Sequence, residues 1–200
     1  MSVPTTERVL QLARQLGTIR PRDLIASGLP HTMLAQLERQ GRLERVARGI
    51  YRVADQPASS HQSLAEVCAR VPKGVICLLS ALQYHQLGTQ SPFEVWVALP
   101  PKHWTPKSDY PPLRVVRFSG RALSEGVEEH RTTAGVIRVY SVPKTVVDCF
   151  RHRNKVGLDV ALEALQACLR ERRATVDELW RCAQLLRAAG VMRPYLEALA

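Results

Sequence analysis

The chain has 200 residues, 28 Lys and Arg against 18 Asp and Glu, and a formal net charge of +10. Its 46% hydrophobic and 23% charged content exclude general disorder, and no apolar run reaches the roughly 18–20 residues that cross a bilayer. Five cysteines, an odd number with no Cys-x-x-Cys pair, argue against a disulfide framework and against a zinc knuckle.

The first 55 residues read as three helices and a hairpin. Thr5 or Thr6 caps a helix whose apolar positions Val9, Leu10, Leu12, Ala13 and Leu16 follow helical spacing, and Gly17 stops it. Ile19-Arg20 is a short extended piece. Pro21 opens a second helix through Leu24 and Ile25, and Gly28 ends it. Pro30 opens a third, with Met33, Leu34 and Leu37 inward and His31, Thr32, Ala35, Gln36 and Arg39 outward. Leu43 to Val46 and Ile50 to Val53 alternate as strands around the turn Ala47-Arg48-Gly49. Helix, helix-turn-helix and a two-stranded wing make a winged helix.

Ala54 to Ser60 is polar and aperiodic and reads as a linker between a domain at 1–55 and one at 61–200. Beyond it, Gln62 to Arg70 has helical spacing, and Val75 to Leu87 is a strongly apolar segment, a buried helix or a strand running into one. Glu94 to Leu99 and Leu113 to Phe118 read as strands. Val127 to Thr133 and Val136 to Tyr140 flank Ala134-Gly135 as a hairpin. Helices follow from Pro143 to Phe150, Leu158 to Arg170, Thr175 to Leu186 with a Thr175/Glu178 capping box, and Arg193 to Leu199. The fold class is α+β: an N-terminal winged helix, then a mixed sheet-and-helix domain ending in helices.

Charge is unevenly placed. Residues 1–55 carry nine Arg, no Lys and five acids; residues 56–157 carry thirteen bases and seven acids; residues 158–200 carry six of each. The first two blocks are the candidate surface for a polyanion. In a helix-turn-helix, the N-terminal residues of the recognition helix meet base edges, which here selects His31, Thr32, Gln36 and Arg39. Gln pairs bidentately with adenine and Arg with guanine. Arg20 and Arg22 are placed for phosphate, and Arg45, Arg48 and Arg52 for the backbone or minor groove beside the wing. The expected partner is therefore double-stranded DNA. Arg151, Arg153 and Lys155 form a possible second basic patch, with a solvated helix end as the plainer alternative.

Enzyme chemistry finds little support. Walker, Gly-x-Ser-x-Gly, His-Glu-x-x-His and Gly-x-Gly-x-x-Gly patterns are missing, so no catalytic residue, metal site or cofactor is expected. His85 and the five cysteines read as packed core residues. Trp96 is a core candidate, while Trp104, in the Pro100 to Pro112 loop, is the better candidate for a partner contact. Met1 to Val9 shows no signal peptide, so a cytoplasmic location and no membrane contact are expected.

Several segments in order resemble a known family: Arg48-Gly49-Ile50-Tyr51-Arg52, His61-x-x-Leu64-Ala65, Pro72 to Leu82, Pro92-x-Glu94-Val95-Trp96-Val97-Ala98, Pro143 to Phe150, and Arg153 to Asp159. The chain is similar to the AbiEi antitoxins of type IV toxin–antitoxin systems. The resemblance implies an N-terminal winged helix that represses its own operon at inverted repeats in the promoter. It also implies a C-terminal domain that opposes a nucleotidyltransferase-like toxin without a stable complex. The DNA-contacting surface of the family maps onto Arg20, Arg22, the outward face of His31 to Arg39, and Arg48. Two other readings stand beside it: a nuclease targeted by a winged helix, and a one-component regulator with a ligand-sensing C-terminal domain.

Overall fold

The computed structural model describes residues 4–55, 61–105 and 111–199; the linker expected at 54–60 lies outside them from residue 56 onward. The chain forms two compact units, Met1–Pro72 with Glu129–Ile137, and Lys73–Glu128 with Arg138–Ala200.

The first unit begins with α1 (Thr5–Leu16), α2 (Pro21–Ala26) and α3 (Met33–Arg39), followed by β1 (Leu43–Ala47), β2 (Ile50–Val53) and α4 (Gln62–Arg70). Neither threonine caps α1. Pro4 is the N-cap residue, and its carbonyl accepts from the Glu7 and Arg8 N–H groups at 3.0 and 3.1 Å. Proline at the first position of α2 costs no hydrogen bond, because that N–H has no helical partner. Apolar side chains at helical spacing turn Val9, Leu10 and Ala13 onto Leu24, Leu34 and Leu37, and Leu43 and Val53 close the core from the hairpin. Leu24 is buried there, while Ile25 is 63% exposed. β1 and β2 pair antiparallel with a bulge between Arg45 and Ala47. Ile19 adds an isolated bridge, exchanging both backbone hydrogen bonds with Tyr51 at 2.8 and 2.9 Å. Helices and hairpin together have the winged-helix arrangement.

Residues Glu129–Ile137, the end of a later hairpin, belong with this unit. Gly17 explains why the approach is possible. It ends α1 at φ +70°, and a Cβ there would stand 2.1 Å from the Ala134 carbonyl carbon. Only a residue without a side chain permits that approach of two backbones.

The second unit contains β3 (Val75–Ile76), α5 (Leu78–His85), β4 (Val95–Leu99), β5 (Leu113–Arg117) and α6 (Arg121–Ser124). β6 (Val127–Thr132) and β7 (Gly135–Tyr140) follow, then α7 (Val142–Arg151), α8 (Arg153–Val156), α9 (Leu158–Arg170), α10 (Val176–Leu185) and α11 (Ala189–Leu199). The strand order is β5-β4-β3-β7-β6. β3 runs antiparallel to β4 and parallel to β7, and β4 runs parallel to β5, so the sheet is mixed.

The apolar run 75–87 is a two-residue strand turning directly into a helix. Cys77 N–H donates to the Trp96 carbonyl at 3.0 Å, and Leu78 makes the turn at φ +46°. All five residues of β4 are buried, which accounts for its near-continuous apolar sequence. Ser80 fastens α5 to that strand: its hydroxyl accepts from Trp96 N–H at 2.9 Å and donates to the Glu94 carbonyl at 3.4 Å. The capping box forms as expected, with Glu178 N–H donating to Thr175 Oγ1 and Thr175 N–H to Glu178 Oε2. The last helix starts at Ala189, four residues before Arg193, and contains Pro194. The fold is α+β, and no helix among the described residues is long and apolar enough to cross a membrane.

Candidate nucleic-acid interface

α3 buries Leu34 and Leu37 on one side, and helical geometry then leaves Ala35, Gln36 and Arg39 on the other, with Ala35 and Arg39 facing solvent around Gln36. His31 and Thr32 do not lie within the helix. They form the turn at its start, where Met33 and Leu34 N–H donate to the Pro30 and His31 carbonyls, both at 3.2 Å. Both are exposed, as are Gln36 and Arg39, so the solvent-facing residues run from the turn before α3 to its last residue. The Arg39 guanidinium folds back to donate to the Ala35 carbonyl at 3.3 Å, a long and therefore weak bond.

The arginines divide into two groups. Arg22, Arg45 and Arg48 are exposed, with Arg22 3.7 Å from Asp23 and Arg45 Nε donating to the Ala47 carbonyl at 3.4 Å. Arg20 and Arg52 are held within the unit. The Arg20 guanidinium donates to the Ala69 carbonyl, and its backbone N–H donates to Asp23 Oδ2 at 2.8 Å. Burial first, and neighbouring Arg22 second, lower its pKa from the usual arginine value. Arg52 donates from Nε and Nη2 to Glu44 Oε2 at 2.9 and 2.8 Å, and its Nη1 lies 3.6 Å from Glu66 Oε1. A guanidinium with two carboxylate partners has less to offer a phosphate than an exposed one.

The second basic run is likewise engaged locally. Arg151 Nη1 donates to Asp148 Oδ1 at 3.0 Å, Arg153 Nη1 donates to the Phe150 carbonyl at 3.1 Å, and Lys155 is exposed. These bonds neutralise the end of α7 and its buried acid, as cations near a helix C-terminus do.

The remaining residues singled out by sequence fall where their chemistry suggests. His85 is 7% exposed and its Nε2 lies 2.7 Å from the Tyr140 carbonyl. Cys68, Cys77, Cys149 and Cys168 are buried and Cys182 is half-buried. Trp96 is buried, whereas Trp104 is 71% exposed.

Sequence reasoning does not show that α4 packs against Arg20 and Arg52. This helix sends Glu66 to Arg52, the Ala69 carbonyl to Arg20, and Arg70 to the Val46 carbonyl at 3.4 Å. The signal that could have found it is Gln62, Glu66 and Arg70 at four-residue spacing, a polar stripe on an otherwise apolar helix.

Comparison with known proteins matches residues 7–54 to a family described as transcriptional regulator, AbiEi antitoxin. Among solved structures, the RV2827C protein from Mycobacterium tuberculosis has a similar fold. It is 18% identical, with a TM-score of 0.55, over 94% of this chain and 78% of that one. No curated protein sequence matches the chain. The matched residues span the helix-turn-helix and both strands of the wing, so the likeness to the AbiEi transcriptional regulators lies in this amino-terminal module.

Proposed function

We propose that the protein is a DNA-binding autorepressor and the antitoxin of a type IV toxin–antitoxin system. Residues 1–55 bind the promoter of its own operon at inverted repeats. Residues 61–200 counteract a nucleotidyltransferase-like toxin without a stable complex. The observation that carries the DNA-binding part is the exposure of His31 and Thr32 in the turn before α3, and of Gln36 and Arg39 on it, opposite the buried Leu34 and Leu37. On this reading Gln36 and Arg39 read base edges, and Arg22, Arg45 and Arg48 hold phosphates. Arg20 and Arg52 contribute chiefly by fixing the elements on which those residues stand.

Gel-shift titration of the full chain against the DNA upstream of its own gene, and against an unrelated duplex, tests this. Gln36→Ala and Arg39→Ala are expected to lose about 1–3 kcal/mol on the promoter and little on the unrelated duplex. Arg22→Ala is expected to weaken both alike. Unchanged promoter affinity in all three variants rejects the assignment. For the antitoxin part, the chain is expected to rescue cells expressing the toxin encoded beside it, and to do so still when Arg39 is replaced by alanine. Loss of rescue in that variant would tie protection to repression and reject a separate task for residues 61–200.

A further inference from the structure

We infer that α4, beyond the family-matched segment, positions the wing and the helix-turn-helix for DNA, with Arg70 and Glu66 as its positioning residues. This rests on the DNA-binding reading above. Gln62, Glu66, Ala69 and Arg70 stand at i, i+4, i+7 and i+8, so one helix face presents them together. That face reaches three different parts of the module. Arg70 Nη2 donates to the Val46 carbonyl at 3.4 Å. Val46 is the residue skipped by the bulge between Arg45 and Ala47, so its carbonyl stands out of the β1–β2 register. Glu66, 8% exposed and accepting from Gln62 Nε2 at 2.8 Å, faces Arg52 on β2. The Ala69 carbonyl accepts from Arg20, the N-cap residue of α2.

Two of these ties hold the wing and the third holds the entry to the helix-turn-helix. A two-stranded ribbon is marginally stable alone, so its direction is set by what it is tied to. Arg45 and Arg48 flank the tied carbonyl by one and two residues. The Ile19–Tyr51 bridge and the packing of Leu43 and Val53 hold the base of the hairpin, and α4 adds ties at Arg52 and at the bulge, beside Arg45 and Arg48. A wing free to swing must be ordered when DNA binds, and the affinity falls by the cost of that ordering.

A positioning residue and a phosphate contact differ in measurable ways. Removing one phosphate-binding cation reduces the slope of log affinity against log salt by about one. Arg70→Met keeps the aliphatic stem and removes the donor. In the full chain, on the DNA upstream of its own gene, it is expected to bind about tenfold more weakly with an unchanged salt slope. Arg48→Ala is expected to reduce the slope by about one, and Arg70→Lys to restore part of the affinity. Amide hydrogen exchange without DNA is expected to speed up at residues 46–50 in Arg70→Met. If that variant unfolds at the assay temperature, Glu66→Gln takes its place. It keeps an acceptor for Gln62 and removes the charge facing Arg52, and the same slope and exchange results are expected.

A salt slope reduced by about one in Arg70→Met would make Arg70 a phosphate ligand and overturn the inference. Wing exchange equal to that of the unaltered chain would overturn it too. Failure of the unaltered chain to bind any duplex would sink the DNA-binding reading alone. The exchange measurement would then decide the inference, slow in the unaltered chain and fast in Arg70→Met upholding the brace.

Discussion

Lys144 and Asp148 are the residues whose chemistry departs furthest from their surroundings. Both are buried at 1% and 0% exposure, one helical turn apart on α7, and their side chains are hydrogen-bonded. Arg151 also donates to Asp148, while the Lys144 ammonium sits 3.9 Å from the Tyr140 ring centre and 4.9 Å from that of Phe118. Burial pushes the lysine down and the carboxyl up from their usual values, and each opposes the shift in the other. Removing one partner strands a charge in the core. Asp148→Ala should therefore cost about 3–5 kcal/mol in denaturant unfolding, and Lys144→Met with Asp148→Leu should recover much of it. His152 stacks on Phe118 with ring centres 5.1 Å apart. Burial, then Arg151, Lys155 and Lys144, push its pKa down to about 4. The unfolded ring takes up a proton near pH 6.5 and the folded ring only near 4. This contribution to stability is present above about pH 6.5 and is lost as pH falls between those values. Solvent screening of a half-buried ring limits it to on the order of 1 kcal/mol. The melting temperature of His152→Phe should accordingly fall less steeply than that of the unaltered chain between about pH 7 and 4.

At the scale of elements, what is legible in sequence has a local cause. The three N-terminal helices, the wing, the Thr175 capping box and the exposure of Trp104 follow from spacing, turn residues and caps that act within a few positions. α3 begins at Met33, later than its proline suggests, because Pro30 opens a turn rather than the helix itself. The partners that hold Arg20 and Arg52, the Ala69 carbonyl and Glu66, lie far along the chain and leave no local signature. α6 has only four residues, too few to show a period. Gly17 reads as a helix stop, which it is, but its second duty against Ala134 has no local signature. Gly17→Ala is expected to destabilise the chain by more than about 1 kcal/mol. It meets both a positive φ and a backbone collision, and the loss is measurable as a lowered denaturant midpoint at an unchanged slope.

On the scale of the whole molecule, the net charge is +10, and the exposed arginines of the first unit are the part of that excess on which the proposed DNA binding draws. The assignment of residues 129–137 to that unit is beyond sequence reasoning, since they meet residues 16–18 and 65 across long stretches of intervening chain. A fragment of residues 1–72 lacks that segment. It should melt below the same unit in the full chain and exchange its amides faster at Leu16 to Ile19, where Gly135 and Ala134 approach.

That discontinuity has a consequence for anyone building chimaeras. The polypeptide passes from one unit to the other three times, at 72/73, 128/129 and 137/138. A regulator head cut at a single seam and spliced to a foreign body would leave behind the 129–137 plug that covers the end of its first helix. A working transplant needs all three joints, and a library shuffled at one would lose its binders for reasons unrelated to DNA.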